Sequence, residues 1–92
     1  MIVRIATEGQ YELAEGDLPA LHELDRAAVA ACEAGDEDRF RNVFARLLEL
    51  VRTLGRPLPD EELASSDLIL PPPDVTLAEA TREFTGEGLI PG

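Results

Sequence analysis

The sequence predicts a small α+β domain, mainly α, from three observations. Residues 36 to 55 form one long amphipathic run, residues 17 to 34 form a second, and residues 2 to 14 alternate around a turn signal. The expected architecture is an N-terminal β-hairpin (2–14) packed on an antiparallel two-helix hairpin (17–34 and 36–54). A proline-rich extended segment (57–75), a short third helix (77–85) and a tail (86–92) complete the single expected domain.

The run that opens at Asp36 organises the rest. At about 100° per residue, Phe40, Val43, Phe44, Leu47, Leu48, Leu50, Val51 and Leu54 fall in one arc of about 160°, with every polar side chain outside it. Such a helix has a single wet face, and the other segments must cover the dry one. Its start carries Asp36, Glu37 and Asp38 on the positive end of the helix dipole. Gly55 closes it, with Pro57 and Pro59 beyond.

The preceding helix is expected to start at Asp17 as N-cap, with Pro19 in the first turn, and to end at Gly35. Its apolar side is Leu18, Leu21, Leu24, Ala28, Val29, Ala31 and Cys32, flatter than the second stripe because alanines let another backbone approach. Asp25 falls inside that arc, and the reading places it at the edge, meeting Arg39 or Arg41 of the next helix. The Gly35-Asp36 connection is so short that the two helices must run antiparallel.

Ile2 to Thr7 is β-branched and apolar, Glu8-Gly9 supplies a turn, and Gln10 to Ala14 alternates again. Val3 and Ile5 can thereby share a face with Tyr11 and Leu13. Two strands alone are marginal in water, so the hairpin needs the helical stripe. Leu68-Ile69-Leu70 is an apolar triplet before three prolines, read either as a third strand or as an irregular plug of the core. Thr76 to Glu79 matches a capping box opening the third helix, whose buried side is Leu77, Ala80 and Phe84. Leu89 and Ile90 are expected to anchor the tail.

Composition excludes several functions. The chain has 92 residues, 19 acidic and 8 basic, all of the latter Arg, for a net charge of −11. That charge repels nucleic-acid phosphate and anionic lipid, and no basic patch offsets it. The acid is concentrated late: residues 57–92 carry 8 acids and one Arg (−7), against 11 acids and 7 Arg (−4) in residues 1–56. Cys32 is the only cysteine, which rules out an intramolecular disulfide and a cysteine cluster for zinc. No apolar run reaches the ~20 residues of a membrane span, and no signal-peptide pattern opens the chain, so a soluble cytoplasmic protein is expected.

No catalytic or cofactor constellation is legible. An EF-hand loop opening at Asp36 would need Gly and Glu where the chain has Arg41 and Leu47. His22 lies beside exposed acids, and Ser65 and Ser66 have no base partner. The expectation is therefore no enzyme, no metal and no cofactor. The candidate partner-binding residues are acidic: Asp60, Glu61 and Glu62 on a proline-bounded turn, with Glu79 and Glu83 at i and i+4 of the third helix. The Arg-edged face of the second helix is the other place where a partner could dock.

Taken end to end, MIVRI-x3-GQYE, L-x2-LD, the GDE opening of the long helix, VR-x2-G-x-PLPD, SDL-x-LPP-x-D-x-TL-x-E and terminal GLIPG resemble the phage shock protein A associated (PspAA) family. Residues 9–12, 57–60, 66–77 and 88–92 carry the most specific matches. The resemblance implies a three-helix domain working with phage shock protein A. That partner is a coiled-coil protein of the envelope-stress response that assembles on the inner face of the membrane. The resemblance offers no catalytic or cofactor residue to transfer, and the negative charge of the chain argues against nucleic acid and direct membrane contact, leaving the membrane to be reached through the partner. A second reading is a small acidic transcriptional accessory that mimics DNA and occupies a basic regulator.

Overall fold

The stripe of the long helix is where the core sits. In the computed structural model, which describes residues 1–59 and 65–83, Phe40, Phe44, Leu47, Leu48 and Val51 are all buried. They belong to helix α2 (Glu37–Leu54), which lies antiparallel against α1 (Leu18–Ala34). Phe40 and Phe44, one turn apart, stack with ring centroids 5.4 Å apart at 11°. Leu54 departs from the expected stripe: at the last position of the helix it is half exposed.

Gly35 joins the two helices as their spacing requires. It adopts φ 67° and ψ 24°, the left-handed conformation that glycine enters without a Cβ penalty. Its N–H donates to the Cys32 carbonyl at 3.1 Å and that of Asp36 to Ala31 at 3.0 Å, closing α1. The Asp36 carboxylate then accepts from the Arg39 N–H at 3.1 Å and caps α2. Asp17 behaves otherwise. It ends a 3-10 turn (Glu15–Asp17) in helical conformation, and its side chain makes no capping bond, so the turn leads the chain into α1 without a cap.

The expected hairpin is half of a larger sheet. Strands β1 (Ile2–Ile5) and β2 (Gly9–Glu12) pair antiparallel with Val3 opposite Tyr11, placing Val3, Ile5 and Leu13 in the core. Their turn sits earlier than Glu8-Gly9: the Glu8 N–H closes on the Ile5 carbonyl at 2.9 Å, and Thr7 takes φ 73°. Two short strands then add to both sides. β3 (Arg56–Leu58) pairs antiparallel with β2, and β4 (Leu68–Leu70) pairs parallel with β1, for the order β3-β2-β1-β4. β3 lies in the segment expected to be merely extended; Pro57 is tolerated there because β3 is an edge strand. Of the alternatives for Leu68-Ile69-Leu70, the strand is realised, with Leu68 and Leu70 inward and Ile69 58% exposed on the outer face.

Side chains fasten the added strand. Asp67 accepts from the Ile2 N–H through Oδ2 at 2.8 Å while its own N–H donates to the Ile2 carbonyl, and Gln10 Nε2 donates to Ser66 Oγ at 2.8 Å. Two of the sequence stretches that carry the family resemblance, 9–12 and 66–77, therefore meet in space for a structural reason. At the far end of the hairpin, Glu8 pairs with Arg52 of α2 and raises the pKa of that guanidinium. Helix α3 (Leu77–Glu83) packs on α1 through buried Ala80. It opens as expected, with the Glu79 N–H donating to Thr76 Oγ1 at 3.1 Å and the Thr76 hydroxyl donating to the Glu79 carboxylate at 2.9 Å. Phe84 and the tail with Leu89 and Ile90 lie outside the described residues.

Candidate partner-docking surfaces

Chemistry has few footholds in this fold. Among the described residues, no group of three or more His, Cys, Asp or Glu could hold a metal ion. Among those same described residues, no helix is long and apolar enough to cross a membrane. Cys32 is buried between α1 and α3, and burial pushes its thiol up; a hydrogen bond with the Thr81 hydroxyl offsets only part of the shift. The thiol is therefore protonated at neutral pH and closed to reagents. Iodoacetamide at pH 7.5 is expected to alkylate Cys32 at least about tenfold more slowly in the native protein than in urea. Mass spectrometry of timed samples reads the ratio, and equal rates would place the thiol at the surface. The sign for stability follows: the unfolded state loses this proton first above about pH 8.5, so stability falls as pH rises from there through the folded value.

Asp25 is a correction. It is 2% exposed, buried within the face of α1 rather than at its edge. Arg41, offered as its partner, is paired instead with Glu37 on its own helix at 3.1 Å. The four-residue spacing from Glu37 to Arg41 makes that pair local, whereas reaching α1 would need a crossing side chain.

The acidic candidates divide. Asp60, Glu61 and Glu62 lie outside the described residues, as does the side chain of Glu83. Glu79 is exposed on α3 but already engaged with Thr76 at the start of that helix.

The structure brings together a different surface, one that no single stretch of sequence displays. Along the shoulder where α1 and α2 meet runs an open groove of about 680 Å³. Ala20, Leu24 and Ala27 form its α1 wall, and Arg39, Val43 and Arg46 its α2 wall. Leu24 and Val43 are half-buried and make an apolar floor, while Ala20, Arg39 and Arg46 are exposed. Glu23 stands on the α1 rim, and Asp36 and Asp38 close the end beside the interhelix turn. Charge is thus segregated, acid on one side and at the end, Arg on the other.

The signal for this groove is present in the sequence but incomplete there. Ala20, Glu23, Leu24 and Ala27, like Arg39, Asn42, Val43 and Arg46, recur at i, i+3, i+4 and i+7, which puts each set on one helical face. Each set flanks the buried arc of its own helix. Only the antiparallel packing of α1 on α2 makes the two flanks face one groove. A smaller cleft of about 420 Å³ lies at the opposite end of α2, where Leu54 emerges beside Met1 and Leu13.

Among the described residues, a four-stranded sheet with a helical hairpin that carries an open, charge-edged groove makes a small α+β module. A model of the PspA-associated protein family matches residues 1–92, so the chain belongs to that family over its whole length. The family name ties it to association with PspA. No curated protein and no solved structure matches the chain.

Proposed function

We propose that this chain is a non-enzymatic interaction module that binds or regulates the coiled-coil protein PspA in the cytoplasm, within the envelope-stress and membrane-maintenance response. The observation that carries this reading is the family match across residues 1–92. The groove along α1 and α2 supports it by supplying a surface for a protein partner. Contact with the membrane is indirect, through PspA, because a net charge of −11 repels anionic lipid. Titration of the purified chain into purified PspA, followed by size-exclusion chromatography, is the direct test, and a complex is the expected result. If PspA does not bind while a basic DNA-binding regulator is captured and released by competing DNA, the domain is instead a DNA mimic.

Within this reading the late acids steer the encounter. Asp60, Glu61 and Glu62, together with Glu79 and Glu83, lie in the third of the chain that carries −7. Changing Asp60, Glu61 and Glu62 together to Lys is expected to slow association with PspA by roughly three- to tenfold at low salt, and by less at 0.5 M salt where screening is strong. Stopped-flow association rates read this. A parental rate at low salt removes the cluster from the encounter.

A further inference from the structure

We infer that the α1/α2 groove is the seat of a single amphipathic helix from the partner, one whose flanks carry opposite charge. This rests on the proposed association with PspA and deepens it by naming where, and by what kind of element, the partner is held.

Shape is the first ground. The walls run from Ala20 to Ala27 and from Arg39 to Arg46, about 10 Å or two helical turns each at 1.5 Å per residue. Two antiparallel helices with small and aliphatic side chains along their shared shoulder leave an open hollow between them. A third helix fills such a hollow by ridges-into-grooves packing, its own apolar residues at i, i+3 or i+4, and i+7 resting on Leu24 and Val43. The seat covers only about two turns, so by itself it gives a weak and reversible contact.

Charge is the second ground, and it selects the occupant. Arg39 and Arg46 make no ion pair among the described residues, although the protein is strongly acidic. Four residues from Arg39 lie Gly35 and Val43, and four from Arg46 lie Asn42 and Leu50, while the acids three residues away are engaged elsewhere: the Asp36 carboxylate accepts from the Arg39 backbone N–H as helix cap, and Glu49 accepts from the Thr53 hydroxyl. Both residues line one rim seven positions apart, the spacing of a heptad. They fit acidic side chains one heptad apart on the flank of the incoming helix that faces α2. Glu23 opposite, with Asp36 and Asp38 at the end, fits basic residues on its other flank. The two rims together fix the direction in which the helix lies, since reversing it sets like charges against each other.

Four variants test this against purified PspA by isothermal titration. Arg39→Glu with Arg46→Glu is expected to weaken binding by about tenfold or more, through lost attraction and new repulsion on the rim. Arg26→Glu with Arg82→Glu makes the same change in net charge at two exposed sites away from the groove, and should stay within about twofold of the parent. Ala20→Trp, which fills the exposed wall, is expected to weaken binding without touching charge. Arg39→Lys with Arg46→Lys keeps the rim positive and should retain most of the affinity. Circular dichroism melts confirm that each stays folded. Parental affinity in either the Glu rim variant or Ala20→Trp, or equal weakening in the Arg26/Arg82 control, overturns the groove as the seat. Failure of the parent chain itself to bind PspA overturns the proposed association, and this inference with it.

Discussion

Leu47→Asp is expected to unfold the protein. Leu47 is fully buried at the centre of the α2 stripe. A carboxylate there would have to stay charged without a partner or take up a proton, and either course costs several kcal/mol. A domain of this size has a total margin on the order of 5 to 14 kcal/mol, so a large share of it is removed by one side chain. Arg46→Asp, one residue earlier but exposed, is expected to stay within about 0.5 kcal/mol of the parent. Urea denaturation followed by circular dichroism separates them. If Leu47→Asp melts at the parental midpoint, Leu47 does not face the core.

Gly55→Ala is expected to cost about 1 to 3 kcal/mol, more than a surface methyl group should. The backbone at Gly55 is extended, with φ −78° and ψ 148°, so the dihedral angles would accept any residue. The obstacle is space. A Cβ built there would overlap the Val51 carbonyl oxygen and come within 2.9 Å of Tyr11 Cβ. Gly55 therefore lets the chain leave α2 and turn directly into β3 alongside β2. This differs from Gly35, where the positive φ and not the surroundings demands glycine. The same denaturation measurement decides: an unchanged midpoint for Gly55→Ala would show that α2 and β2 can move apart freely.

The two effects bear on function through rigidity. Leu47 holds α2 against the sheet and α1, and Gly55 sets where α2 ends against Tyr11. Both keep α2 in a fixed position, and the groove exists only while α1 and α2 hold their spacing. Loss of partner binding in a core variant would therefore report a lost fold, whereas Arg39, Arg46 and Ala20 can be changed with the core intact.

What the sequence determined by itself is local. The α2 stripe, the flatter face of α1, the Gly35-Asp36 turn between them and the Thr76–Glu79 start of α3 are all set by residues within a few positions of one another. Helical periodicity and capping chemistry act over that range, so they can be read without knowing the neighbours. That Val3, Ile5 and Leu13 share the inward face of a hairpin was legible from alternation, but the register was not: a turn at Glu8-Gly9 would set Ile5 opposite Glu12, whereas the turn at residues 5–8 sets Val3 opposite Tyr11. Membership of the PspA-associated family was legible too, in stretches such as Gly9–Glu12 and Ser66–Leu77.

What only the tertiary structure decided is the meeting of distant segments. The parallel pairing of β1 with β4 joins residues 65 positions apart, and three-residue strands beside prolines carry too little local pattern to announce it. The helical wheel puts Asp25 inside the arc of α1 and Leu54 inside that of α2, and only the packed structure decides that the first is buried and the second half exposed. The groove is of the same kind. Arg39 and Arg46 mark one face of α2, and Ala20, Leu24 and Ala27 one face of α1, but a surface between two helices exists only once their packing angle and register are fixed.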